Sequence, residues 1–185
     1  MDKNPDPMSQ FVTNVGLITS RGVLGDNIMA CEWTHHISYE PELIIVAIRK
    51  GKTTYDNILA SNEFGVSIAS IDQNWVSSTA GNSHGVDYDK VGAMSEMGVE
   101  FYEAEKIKTL MVSGSSANLE CKLVQYIDIG DHPIFIGEVV KQSKTDKKPI
   151  LYHLEKYFHL GERVTKTPQE MREKRKAILE KYKRK

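Results

Sequence analysis

Cysteine is scarce in this chain of 185 residues. There are two, Cys31 and Cys121, and no C-x-x-C pair. That argues against a zinc ribbon or a thioredoxin-like redox motif, and two such residues are expected as free thiols. Long apolar runs are also missing. The longest, at 43–48, holds six residues, against roughly 18 for a helix that crosses a bilayer. The first ten residues are polar and proline-bearing, without the apolar stretch of a signal peptide, so a cytoplasmic location and no membrane association are expected. The glycine patterns G-x-G-x-x-G, G-x-x-x-x-G-K-[ST] and G-x-S-x-G do not occur. The common dinucleotide, phosphate-loop and hydrolase readings therefore have no motif to stand on. No internal repeat or low-complexity segment is present, and strands and helices do not alternate as in a doubly wound sheet.

A surplus of one charge is lacking overall, with 24 Lys and Arg against 25 Asp and Glu. The distribution is uneven. Residues 167–185 carry eight basic and three acidic side chains, leaving the body at −6. An acidic body argues against a dedicated nucleic-acid-binding domain, so no nucleic-acid partner is expected. The tail opens with Thr167-Pro168-Gln169-Glu170, a helix-start signal, and its basic residues crowd the far end, where they complement the helix dipole. Met171, Ile178 and Tyr182 form its apolar stripe. RNA or an anionic membrane would suit the charge. A helix packed on the body or on a second subunit is the plainer reading.

What the chain does contain is a series of short strand patterns. Val15 to Thr19 is a short apolar run, and 21–26 has turn chemistry. Residues 27–34 read as one strand, with Ile28 and Ala30 on one face and Met29, Cys31 and Trp33 on the other. By that alternation Glu32 joins Ile28 and Ala30, unless a bulge changes the register. Residues 43–48 read as a strand buried on both faces, started by Pro41. A helix follows, capped by Thr53 or Thr54, with Tyr55, Ile58 and Leu59 on one face and Asn62 as its stop. Residues 64–69 alternate as a half-buried strand, 72–80 and 89–97 are helix candidates, and 81–87 is a polar loop. The clearest hairpin has Ala117, Leu119, Cys121, Leu123 and Ile127 on one face of its first strand. A turn at Gly130-Asp131-His132-Pro133 leads to a return strand ending near Gln142. A last short strand is expected around 157–160. Many short strands with a few small helices predict a mainly β barrel.

Residues 49–57 carry three cations, a glycine and two threonines between a strand and a helix. A phosphate needs amide and hydroxyl donors and positive charge in one place. The helix start, Thr53, Thr54, and Arg49 or Lys52 supply them. A solvated basic turn is the alternative. His35-His36 is no convincing metal site, because neighbours on a strand point to opposite faces, and no metal is expected.

Several pieces in order carry a resemblance. They are Asn27-x-Met29-Ala30-x-x-Trp33, Ile37-Ser38-x-x-Pro41, the apolar strand with its basic, hydroxyl-rich helix start, and Ser61-x-Glu63-Phe64-x-Val66-x-Ile68. Asp89-Lys90, Leu119-x-Cys121, Asp131-His132 leading to Ile136-Gly137-Glu138-Val139, and Pro149-Ile150-Leu151-Tyr152 with Tyr157 follow. Over residues 14–161 the chain resembles the flavin reductase-like FMN-binding split barrels, which include flavoredoxins, ferric reductases and reductase components of two-component monooxygenases. The resemblance implies a mainly β, Greek-key split β-barrel with a few short helices and a C-terminal helix. Residues 1–13 form an N-terminal extension and 162–185 a basic helical tail. It also implies a homodimer with FMN near the subunit interface, NAD(P)H as co-substrate, and a small-molecule or protein electron acceptor. Carried over by position, Asn27, Met29, Ala30, Cys31, Glu32, Trp33 and Thr34 run beside the isoalloxazine. Arg49, Lys52, Thr53 and Thr54 hold the phosphate. Ser83 or His84, in a loop that approaches the cofactor, donates to the phosphate or ribityl chain. His132 is the one catalytic candidate, because a histidine there can face the flavin or the nicotinamide. Hydroxyls are more usual where Cys31-Glu32-Trp33 stands, so the preference for FMN over FAD comes from the resemblance alone. An FMN electron carrier without its own NAD(P)H activity, and a barrel that binds another ligand such as haem, are the competing functions.

Overall fold

The computed structural model describes residues 7–183. The first six residues of the expected N-terminal extension, and Arg184 and Lys185 of the expected tail, lie outside it. In chain order the elements are β1 (Thr13–Asn14), β2 (Gly16–Gly22), β3 (Gly25–Cys31), β4 (Thr34–Tyr39) and β5 (Glu42–Ala47), then α1 (Thr53–Ser61), β6 (Glu63–Ile68), α2 (Asn74–Asn82) and α3 (Lys90–Glu96). They continue with β7 (Phe101–Glu103), β8 (Leu110–Val112), β9 (Ala117–Ile127), β10 (Ile134–Lys144), β11 (Leu151–His153), β12 (Lys156–Phe158) and α4 (Gln169–Lys181).

Seven strands form one antiparallel sheet in the order β3-β2-β6-β9-β10-β5-β4. Its two edge strands, β3 and β4, are consecutive in the chain, and the sheet curls so that the end of β3 meets the end of β5. Ala47 N donates to Trp33 O at 3.0 Å and Cys31 Sγ to Ala47 O at 3.5 Å, closing a split barrel. Inside it Ile18, Val46, Phe64, Val66 and Phe135 are fully buried. Truncating either Phe64 or Phe135 to alanine costs about 3–5 kcal/mol. A second cluster outside the barrel joins Leu17 and Ile28 to Val76 and Ala80 of α2 and Met94 of α3. These contacts fix both helices over β3, one wall of the site.

Several expectations change. The turn is confined to 23–24, because Gly22 and Gly25 already pair. Residues 27–34 are two strands, broken at Glu32 and Trp33 where the barrel closes. Pro41 lies in the turn before β5 rather than in it. β5 is buried on one face only: Ile44 and Val46 point inward while Leu43 and Ile45 are half-covered. Conversely β6, expected half-buried, is central, with Gly65, Val66 and Ser67 all buried. The segment 105–112 covers its outer face, where Glu120 accepts hydrogen bonds from Glu105 N (3.0 Å) and Lys106 N (2.6 Å). Asn62 ends α1 in the left-handed region, at φ 57, as its type predicts. Leu59, expected on the buried helix face with Ile58, is exposed. The hairpin of β9 and β10 forms, with the return strand running to Lys144. The last strand is Lys156–Phe158, slightly earlier than expected. Both cysteines are free and buried. The tail is helical from Gln169, one residue past the expected start. It does not pack on the barrel: every residue from 160 to 183 is exposed.

Candidate functional site

Four separate parts of the chain form one cleft of about 340 Å³, with His132 of the β9–β10 turn as the fourth. β3 supplies its floor, the β5–α1 turn one end, and the loop after α2 the rim. Of the residues expected at a flavin, Asn27, Met29, Ala30, Cys31, Glu32, Trp33, Arg49, Lys52, Thr53, Thr54, Ser83, His84 and His132 all line it. Thr34 does not. It is buried, and its hydroxyl donates to Cys31 O at 3.2 Å, because the break at 32–33 turns it away. The same break leaves Glu32 exposed, lining the cleft beside Ala30.

The β5–α1 end is built for an anion. Gly51 takes φ +81, a value that favours glycine, and so turns the chain into the helix. Neither threonine caps α1. The N-cap is Lys52, with no side-chain hydrogen bond, so the first amides of the helix keep their capacity for a ligand. Thr54 Oγ1 instead accepts from Asn27 Nδ2 at 2.7 Å. Thr53 Oγ1 and Asn27 Oδ1 are buried and have no partner among the described residues. Gly85 lies directly over both: a Cβ there would collide with Asn27 Oδ1 and Thr53 Oγ1. Unpaired buried polar atoms are costly unless a ligand meets them. Two such atoms beside Arg49 and Lys52, at an uncapped helix start, fit an anionic group that carries hydroxyls.

The loop is held from below. Ser83 Oγ donates to Thr79 O at 2.7 Å, and Lys52 Nζ lies 3.3 Å from His84 Nδ1. Lys90, of the Asp89-Lys90 pair, donates to Ala80 O (2.9 Å) and Ser83 O (3.2 Å). It places a cation at the C-terminal end of α2, where the helix dipole favours it. Burial, and secondarily Lys52, lower its pKa from the ordinary 10.5 to about 8. Ala80, Gly81 and Lys90 are cleft residues that local sequence patterns do not disclose, because tertiary packing alone turns the end of α2 toward β3.

At the opposite end the His132 ring meets Trp33 edge-on, with centroids 4.6 Å apart. Asp131 Oδ1 is 3.0 Å from His132 Nδ1, which holds the Asp131 carboxyl below its ordinary pKa. Half of Trp33 is exposed, so an aromatic edge and an imidazole border the cleft mouth. Cys31 borders the cleft, but its thiol is buried in the barrel cluster and its pKa is pushed up by desolvation, which makes it a poor nucleophile.

The family model for the flavin reductase like domain matches residues 8–161. A protein of Archaeoglobus fulgidus is 30% identical over 125 residues, covering 68% of this chain and 69% of that one. Among solved structures, the NADH:FAD oxidoreductase of Streptomyces globisporus superposes with a TM-score of 0.77 at 20% identity, over 88% of this chain and 99% of that one. Flavoredoxin of Desulfovibrio vulgaris gives 0.77 at 22% identity, over 91% and 98%. The fold, the continuous match across the barrel and the convergence of its motif residues on one cleft lead to a single conclusion: the chain belongs to the flavin reductase-like family.

Proposed function

We propose that the cleft binds FMN and that the protein is an NAD(P)H-dependent flavin oxidoreductase delivering electrons to free flavin, a ferric chelate or a protein acceptor. The observation that carries this is the pair of unpartnered buried atoms, Thr53 Oγ1 and Asn27 Oδ1, beside Lys52 and Arg49 at the uncapped start of α1. Arg49, Lys52, Thr53 and the first amides of α1 would hold the phosphate. The backbone at 29–33, the end of β3 and the break after it, would line the ring, and the small side chain of Ala30 admits a close approach. The chemistry that FMN supplies when bound is hydride acceptance and onward electron donation. The protein's part is to bind, orient and shield: the loop at 83–88 covers the phosphate end while Trp33 and His132 border the mouth. His132 is the residue we assign to hydrogen-bonding the nicotinamide or the flavin edge.

Residues 14–161 are the working barrel in this reading, with 162–185 an appended tail. The outward face of β5, where half-covered Ile45 pairs with Ile136 of β10, supports a homodimer. None of the described helices is long and apolar enough to cross a membrane, and we assign the protein to the cytoplasm. The likeness to flavoredoxin keeps one second reading, an FMN electron carrier without nicotinamide activity.

An absorbance spectrum of the purified protein with FMN or FAD added, followed by anaerobic NADH and then NADPH, tests all of this. Flavin bands that bleach with either nucleotide are expected. Bleaching by dithionite alone would select the carrier. Absence of flavin binding, or a haem spectrum, would overturn the proposal.

A further inference from the structure

Beside the main cleft lies a second hollow of about 240 Å³, between the end of α2 and the β11–β12 hairpin. The two share Ala30, Cys31, Glu32 and Gly81. The saddle between them is kept low by small residues: a Cβ on Gly81 would already touch Ala30 Cβ, at 3.4 Å.

Their chemistry is opposite. The main cleft is lined by Arg49, Lys52 and Lys90, whereas no lysine or arginine lines the second. Its wall is aromatic, with the Tyr152 and Tyr157 rings 5.4 Å apart. Tyr157 is fixed there by donating its hydroxyl to Ser77 Oγ at 3.0 Å. Beside the Ser77 and Ser78 hydroxyls, two acceptors stand free in the rest. Glu32 has no ion-pair or side-chain hydrogen-bond partner among the described residues. Asn82 donates its Nδ2 to Ser78 Oγ at 3.2 Å, which leaves its carbonyl oxygen available. A carboxylate and an amide oxygen beside two tyrosine rings repel phosphates and carboxylates. They favour a flat ring that offers N–H donors or positive charge.

We propose that this hollow is a separate subsite for a planar aromatic group bearing N–H donors, neutral or cationic, and carrying no phosphate at that end. Glu32 and Asn82 accept its hydrogen bonds and Tyr152 and Tyr157 form its wall. The subsite stands whether or not the larger cleft takes FMN, so the two assignments fail separately.

Three probes of nearly one shape and different charge test it: benzamidine, benzamide and benzoate. Each is titrated into the full-length protein by calorimetry and ligand-observed NMR, with and without saturating FMN. Benzamidine should bind best, benzamide about tenfold more weakly, and benzoate not at all, as expected for one charge-assisted contact. Glu32→Gln should bring benzamidine to the affinity of benzamide. Asn82→Arg, on an exposed position outside the main cleft, should abolish benzamidine binding and leave FMN binding intact. Equal affinity for the three probes would overturn the assignment. So would benzamidine binding that survives both substitutions, or its displacement by FMN.

Discussion

Asn27 and Thr54, far apart in the chain, meet in a buried 2.7 Å hydrogen bond that ties the middle of β3 to the first turn of α1. Next to it Thr53 carries a hydroxyl that is equally buried and has no partner among the described residues. One threonine is therefore structural and its neighbour is open to a ligand. Thr54→Val leaves Asn27 Nδ2 without its acceptor and should cost about 1–3 kcal/mol in urea unfolding. Thr53→Val removes a hydroxyl that gains nothing in the free protein. It should leave stability unchanged or raise it by up to about 1 kcal/mol, yet weaken FMN binding about tenfold or more, because a hydrogen bond to a charged group is lost. Equal behaviour of the two variants would contradict this division.

Gly85 closes the loop over the same two side chains, and its role is steric. Gly85→Ala forces a Cβ onto Asn27 Oδ1 and Thr53 Oγ1, so the loop must lift. The loop is mostly exposed, so the thermal midpoint should fall by only about 2–4 °C. FMN dissociation, followed by recovery of flavin fluorescence, should accelerate about tenfold. An unchanged dissociation rate would show that the loop does not retain the ligand.

The pieces of this site that could be read from the chain are the ones that are local in sequence. The basic turn at 49–54, the strand around Met29 and Ala30, and the loop at Ser83 and His84 each show their chemistry within a few residues, and all three line the cleft. Strand alternation likewise exposes the β9–β10 hairpin, and Asn62 marks its helix end because left-handed backbone suits asparagine. The failures come from tertiary packing. Alternation continues one strand through 27–34, but barrel closure breaks it between Cys31 and Thr34, so that Glu32 is exposed beside Ala30 and Thr34 is buried. β6 reads as half-buried because Gly65 and Ser67 look like solvent-facing residues, until 105–112 folds over them. Lys90 carries no local mark at all. Only the fold shows that its amine reaches the carbonyls ending α2.

Lys90 should give stability a specific dependence on pH. Its pKa in the folded protein is about 8, against 10.5 ordinarily. Below about 8 the folded and unfolded states both hold the proton, and this residue adds no slope. Between 8 and 10.5 the unfolded chain binds more protons, so the Lys90 contribution makes stability rise with pH. Cys31 and Cys121, with thiol pKa values raised by burial, act in the opposite direction at alkaline pH. The comparison is therefore the difference between wild type and Lys90→Met across pH 7 to 10.5 in urea unfolding. Wild type should gain about 2–3 kcal/mol relative to the variant over that window. A flat difference would mean that the amine is solvated rather than buried.

Glu32 supplies the clearest electrostatic handle on redox chemistry. It is exposed, lines the main cleft below Trp33, and has no cation paired to it among the described residues. A carboxylate on that side disfavours added negative charge at a bound flavin, which lowers the reduction potential. Solvent screening keeps the effect modest: at an intermediate dielectric a charge several ångströms away contributes about 1 kcal/mol, or roughly 20 mV for a two-electron couple. Glu32→Gln should therefore raise the midpoint potential of the bound flavin by about 20 mV at low ionic strength, and by less as salt is added. Equilibration with reference dyes measures it. An unchanged potential at low ionic strength would place the carboxylate too far from the ring to act on it and would restrict Glu32 to the neighbouring hollow.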